Sequence, residues 1–239
     1  MDRTVPEKRG WGDGMTVLDR YDPVELGARL AHVRWLAGGT GAGKSTLARV
    51  LGERYDVLRY DGDRAEAGYV GRCTPQRQPY MCALLRMSKE ERFAARTLEE
   101  IFLSMPSLHG ETFEFVVEDL LALPADRPVL VDDFRTLPRE VAPLLEWREQ
   151  AVFLLPTLEF RRRALGERYA DPDRARANWG DGDHAAALAA RLGRDELWDE
   201  EVRGQARERE LTVVRVDGSR GVEELADEVA AMFRLSEGG

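Results

Sequence analysis

The chain has 239 residues, 43% of them hydrophobic, which is enough for one sizeable α/β core and too apolar for a disordered chain. Its formal net charge of −9, from 35 basic and 44 acidic residues, speaks against a general nucleic-acid binder, which needs a basic surface. No apolar run approaches the ~18 residues of a membrane span and the opening MDRTVPEKRGWGDG lacks a signal-peptide pattern, so a cytoplasmic protein without a membrane partner is expected.

Residues 1–32 form an N-terminal extension. Its first 16 residues are polar and Gly-rich and are expected to fray. Asp22-Pro23 then opens a helix carrying Leu26, Leu30 and Val33, expected to lie across the edge of a sheet. Residues 33–37, VRWLA, read as a short buried strand. Directly after it, GGTGAGKS at 38–45 fits G-x-x-x-x-G-K-[ST], and 46–51 has the apolar spacing of a helix. Such glycines let the backbone curl so that successive N–H groups line an anion cradle, and the helix adds its own free N–H groups and the positive end of its dipole. Gly39, Thr40, Gly41, Ala42, Gly43, Lys44, Ser45 and Thr46 are therefore the expected ATP-binding residues. Lys44 supplies a mobile charge for the β- and γ-phosphates, and Ser45 a hydroxyl for Mg²⁺.

A second strand is predicted over 56–60, ending in Asp61-Gly62-Asp63. The stretch 64–126 is read as a largely helical substrate region. Ser88 and Glu91 make a capping box for a helix through about Met105, and 111–123 gives another helix, ended by Pro124. Tyr69, Arg72, Tyr80 and Arg86 are its candidate substrate contacts. A third strand at 129–131 ends in Asp132-Asp133, a helix spans 138–149, and a fourth strand spans 151–155. The run PTLEFRRR at 156–163 opens a charged helical region, with 159–210 expected to supply a lid and further helices. Asn178 and Arg194-Asp195 form a second Arg/Asp-rich patch in it, with no role assigned. A fifth strand at 212–216, a turn at Asp217-Gly218-Ser219 and an amphipathic helix over 222–233 close the chain. Trp147, Trp179 and Trp198 read as packing residues. Strands alternating with helices make a doubly wound parallel sheet, read as a single domain over 1–239. Cys73 and Cys82 have no CxxC spacing and are expected to be reduced, and His32, His109 and His184 offer no metal-ligand spacing.

Parallel strands end at a sheet's ligand-binding edge, which puts three sets of side chains in question. Asp132 stands where a magnesium-orienting carboxylate is expected, with Asp133 behind it; the alternative is a turn residue that caps the next helix. Asp61 and Asp63 both reach the cleft mouth if Gly62 forms the bend. Asp63 is preferred as the residue that takes or orients the acceptor's hydroxyl proton, against the alternative of a solvated D-G turn. Arg161 and Arg162, with Arg163, Arg168, Arg174 and Arg176 beyond, are candidates to reach the phosphates on lid closure. Otherwise they form a solvated surface paired with Glu159 and Glu167.

Taken together, GGTGAGKST, YDGD, VLVDD, LEFRRR and VDGSRGVEELADEV resemble the small P-loop kinases, a group spanning nucleoside, nucleotide, shikimate, gluconate and antibiotic phosphotransferases. The resemblance implies a P-loop NTPase-type sheet of five parallel strands in order 2-3-1-4-5, a substrate region after strand two and a lid after strand four. It also implies that Asp61 and Asp63, as a D-x-D after strand two, serve magnesium and the acceptor hydroxyl, and that the turn from Asp217 through Ser219 to Arg220 packs beside adenine. The chain departs from the shikimate branch, which carries a Gly-rich turn where this chain has Asp132-Asp133 and a shorter insert than 64–126. An N-K-x-D base-reading motif is missing, which disfavours a GTPase. The expected activity is ATP- and Mg²⁺-dependent transfer of a phosphoryl group to a hydroxyl of a small molecule. The rival readings are an ATPase or nucleotide switch acting on a protein partner, and a polynucleotide 5′-hydroxyl kinase.

Overall fold

The computed structural model describes residues 20–93 and 96–236; the expected frayed segment 1–16 lies outside them. Five parallel strands form one sheet, β1 (Val33–Gly38), β2 (Leu58–Asp61), β3 (Val129–Asp132), β4 (Ala151–Pro156) and β5 (Thr212–Val216), in the order β2-β3-β1-β4-β5. This is the expected sheet order. β3 and β4 are buried along their whole length and β1 nearly so, whereas the edge strands β2 and β5 are half-exposed.

The period-2 alternation of a strand explains why two apolar layers form. Trp35, Val131 and Phe153 point to one face with Val129, Ala151 and Leu155, where Leu26, Phe113, Trp198 and Val202 cover them. Leu36, Leu130, Val152 and Leu154 point to the other, against Leu47, Leu51, Leu225 and Val229. The covering elements follow in chain order. α1 (Pro23–Arg29) and α2 (Lys44–Arg54) flank β1; α3 (Gly62–Tyr69), α4 (Pro79–Arg86), α5 (Leu98–Leu103) and α6 (Phe113–Leu121) lie between β2 and β3. α7 (Pro138–Val141) precedes β4, α8 (Leu158–Tyr169), α9 (Pro172–Trp179) and α10 (His184–Glu208) precede β5, and α11 (Val222–Met232) follows it. No helix among the described residues is long and apolar enough to cross a membrane.

Several elements differ from the sequence expectation, each for a local reason. Asp22 caps α1 as expected, accepting from the Val24 N–H at 2.9 Å, but the helix ends at Arg29 and Val33 already belongs to β1. The segment expected across the sheet edge packs against the turn at 142–144 and adds Leu26 and Leu30 to the first layer. Ser88 and Glu91 do exchange their capping hydrogen bonds, at 3.1 and 2.9 Å, yet only a turn follows. The helix begins ten residues later, because Thr97 and Glu100 form a second capping box at Leu98. The helix expected over 138–149 stops at Val141: Pro143 has no N–H to continue the ladder, and the chain tightens into a 3₁₀ turn at Ala142–Leu144. Cys73 and Cys82 are free thiols. Trp179 and Trp198 are buried at 2% and 1% exposure, in keeping with a packing role, and Trp147 lies under the guanidinium of Arg34.

Candidate functional site

The carboxyl ends of β1, β3 and β2 converge because the register sets Leu36 beside Asp132 and Asp132 beside Asp61. From the end of β1 the chain turns through Gly38, whose φ of 111° and whose missing Cβ, which would stand 2.3 Å from the Leu154 carbonyl oxygen, both demand glycine. Gly39 N–H donates to that same carbonyl at 2.8 Å, which fixes the loop's departure. Gly41 and Gly43 also have positive φ, 78° and 80°, and Gly43 caps α2 without any side-chain hydrogen bond. The first-turn residues of α2, Lys44 to Thr46, line the cleft, and their N–H groups have no capping side chain from Gly43.

Lys44 is 8% exposed, and its Nζ donates to the carbonyls of Gly39 at 2.8 Å and Gly38 at 3.4 Å. Burial holds its pKa below the ordinary lysine value, and Asp132, Asp133, Asp63 and Asp199 oppose that shift. Asp132 is buried too. Desolvation raises its carboxyl above the usual range, opposed by the Lys44 charge and by a hydrogen bond from the Ser45 hydroxyl. Ser45 and Asp132 thus meet beside the ammonium.

Behind Asp132 lies an ion cluster that the sequence did not announce. Arg135, 6% exposed, pairs through Nη1 with Asp133 at 2.9 Å and Asp63 at 3.0 Å, and holds both carboxylate oxygens of Glu66, at 2.9 and 2.5 Å. Burial works against its charge, but Asp133, Glu66 and Asp63 more than offset that, and the guanidinium sits above the ordinary arginine value. Asp133 also accepts from the Thr136 hydroxyl at 3.1 Å. Asp63, at the start of α3, keeps its carboxylate largely exposed to the cleft.

Other expected residues are placed differently. The Asp61 carboxylate caps α3, accepting from the Arg64 N–H at 3.1 Å, which is the turn-residue alternative for that position. Arg161 is no lid residue in this conformation. It is 1% exposed, donates from Nε to the Thr40 carbonyl at 3.0 Å and pairs with Asp199, so it braces the glycine loop from beneath. Burial pushes the Asp199 carboxyl up to about 6 against the pull of Arg161. Arg162 is exposed and outside the cleft lining. Asp217 and Ser219 close their own turn, with the Ser219 N–H and hydroxyl both donating to the Asp217 carboxylate at 2.9 and 2.6 Å, and neither lines the cleft. Tyr69 is buried with its hydroxyl on that of Tyr60 at 2.6 Å, Arg72 pairs with Glu118 and Asp119, Tyr80 stacks on His109, and Arg86 is exposed; none of the four lines the cleft.

The cleft itself has a volume of about 440 Å³. One wall is the loop from Thr40 to Thr46; Asp63, Glu66 and Asp132 to Arg135 form its floor. The rest of the lining, the far wall, carries Arg92, Phe93 and Arg96 from the segment before α5, Arg168 and Tyr169 from the end of α8, and Arg191 and Arg194 from α10. Among these, Arg168, Arg194 and Asn178 lie in stretches flagged by their charge; Arg92, Arg96, Arg135 and Arg191 were missed. The position of Arg191, three residues before Arg194 and four before Asp195 on one helix face, was the signal available for one of them. Among the described residues no cluster of three or more His, Cys, Asp or Glu side chains could hold a metal by itself.

Neither the models of known protein families nor the curated proteins contain a match to this chain.

Proposed function

We propose that the protein is a P-loop-type, ATP- and Mg²⁺-dependent phosphotransferase that moves the γ-phosphoryl group to a hydroxyl of a small molecule. The observation that carries the reading is the uncapped N-terminus of α2, framed by left-handed Gly41 and Gly43 and facing a cleft whose floor bears Asp63. A loop of inward N–H groups next to a buried lysine is chemically suited to a triphosphate tail. The donor set also fits magnesium. A hydroxyl and one carboxylate, Ser45 and Asp132, are supplied without a protein cage, as suits an ion that keeps waters and takes phosphate oxygens for its other ligands. Bound there, the ion would neutralise charge on the β- and γ-oxygens.

The remaining work falls to the chain's own groups. Lys44 sits at the loop, ready to exchange its carbonyl partners for phosphate oxygens. Asp63 would hold the acceptor hydroxyl in line. Arg135 steadies that carboxylate as an orienting group, which is enough for a loose transition state that needs little proton removal early on. The far wall would exclude water from the transfer.

Purified protein incubated with ATP·Mg²⁺ and pools of nucleosides, sugars, cyclitols, antibiotics and hydroxy acids should release ADP faster with at least one pool. With that acceptor, Asp63→Asn should lower kcat by about 100-fold at unchanged ATP affinity. Stimulation by a protein partner and by no small molecule would support the switch reading instead, and full transfer by Asp63→Asn would remove the orienting role.

A further inference from the structure

The far wall of the cleft holds more positive charge than the protein neutralises. Arg92 has a buried Nε without a hydrogen-bond partner, and no carboxylate among the described residues lies within ion-pair distance of it. Arg96 donates to two backbone carbonyls, those of Arg92 at 3.2 Å and Glu100 at 2.8 Å, while the Glu100 carboxylate is committed to capping α5 through the Thr97 N–H at 2.7 Å. Arg191 and Arg194 share one carboxylate, Asp195, which the first approaches at 3.6 Å and the second at 2.9 Å. Four guanidiniums thus face one dedicated acid. The contrast within the same cleft is Arg135, which has three carboxylates to itself. An arginine keeps its proton in such a site, so an anion that enters it gains charge-assisted hydrogen bonds.

We infer that the acceptor of the proposed transfer is an acidic small molecule, whose phosphate or carboxylate group is gripped by Arg92, Arg96 and Arg194 opposite the glycine loop. The inference rests on the phosphotransferase reading and narrows its substrate class. Three observations favour an organic acid over a second use of the triphosphate. The loop and Lys44 already supply donors for the phosphate tail on the other wall. Arg92 and Arg96 come from the segment between β2 and β3, a different part of the chain from the loop that would carry ATP, and neither hydrogen-bonds to that loop among the described residues. Interleaved with the arginines are Leu84, Phe93 and Met105, which offer apolar surface to a carbon skeleton, and the Arg194 guanidinium lies 5.9 Å from the Phe93 ring centre. A planar fork of N–H donors matches either oxyanion bidentately.

The test uses the full chain saturated with Mg²⁺ and the non-hydrolysable analogue AMP-PNP, then titrated calorimetrically with methylphosphonate, malonate or neutral glycerol. One of the two anions should bind one-to-one and glycerol should not; which anion binds assigns phosphate or carboxylate. Arg92→Gln, which strips no buried carboxylate of a partner, should weaken that anion at least tenfold and leave AMP-PNP affinity within twofold. Arg194→Lys, which keeps a charge for Asp195, should weaken it as well, and exposed Arg86→Gln should change neither ligand. The inference is overturned if no anion binds the loaded protein, if the anion competes with AMP-PNP, or if Arg92→Gln weakens only AMP-PNP. Should AMP-PNP itself fail to bind, the phosphotransferase reading falls separately. The unloaded chain then decides: anion binding lost in Arg92→Gln keeps the arginine site, whereas binding lost only in Lys44→Met places the anion in the loop and removes it.

Discussion

Replacing Lys44 with methionine is expected to lower phosphoryl transfer by about 10³-fold, roughly 4 kcal/mol of transition-state stabilisation, while leaving the fold intact. The stem of the lysine is buried in the loop, and methionine fills nearly the same volume, so packing changes little. What disappears is a cation poised where charge would build on the transferred group, in a buried site where water replaces it poorly. Two buried carbonyls, those of Gly38 and Gly39, lose that donor, which should cost about 1–3 kcal/mol of stability without unfolding the chain. Stopped-flow or coupled measurement of ADP release, with a melting curve alongside, separates the outcomes. Transfer within tenfold of the parent would mean that Lys44 takes no part in the reaction and that its bonds to the loop carbonyls are its whole role.

Arg135→Met is expected to produce the largest loss of stability. Breaking a buried ion pair by removing one partner costs about 3–5 kcal/mol, because the other charge stays behind. Here the abandoned group is Asp133, whose side chain is 1% exposed and would keep only the Thr136 hydroxyl. For a chain of this size that corresponds to a fall of roughly 10 °C in melting temperature. Adding Asp133→Asn to Arg135→Met should recover much of the loss, since the second change removes the orphaned charge. Arg135→Lys should fall between, keeping the charge but losing the fork that holds Glu66 by both oxygens. A melting temperature for Arg135→Met within about 2 °C of the parent would show that the cluster contributes little to stability.

These two residues also mark what could and could not be read from the sequence. Lys44 and its glycines were legible because everything that defines the loop lies within eight consecutive residues, directly after a short, largely apolar strand. The sheet was legible for a related reason: VLV and AVFLL can only be strands buried on both faces, and the structure has them in the middle of the sheet. Arg135 could not be found that way. Its three carboxylates come from α3 and from the loop after β3, and their meeting depends on the strand register that sets Asp61 beside Asp132. Arg161 misled for a different reason. Within LEFRRR the three arginines look equivalent, but helical phase puts Arg161 four residues before Leu165 on the buried face and leaves Arg162 in solvent. The same phase argument, applied to Leu158, Arg161 and Leu165 together, would have placed the first arginine under the loop. The arginines of the far wall are scattered from position 92 to position 194, and no local pattern links residues so far apart in sequence.

The central claim is that the glycine loop holds a triphosphate with the help of a metal placed by Ser45 and Asp132. Calorimetric titration of the full chain with ATP, at zero and at millimolar magnesium, tests it most directly. One-to-one binding that magnesium strengthens, and that Lys44→Met and Asp132→Asn both weaken, is the predicted result. A chain that ignores ATP at every magnesium concentration, or binds it equally well without Lys44, would contradict the account.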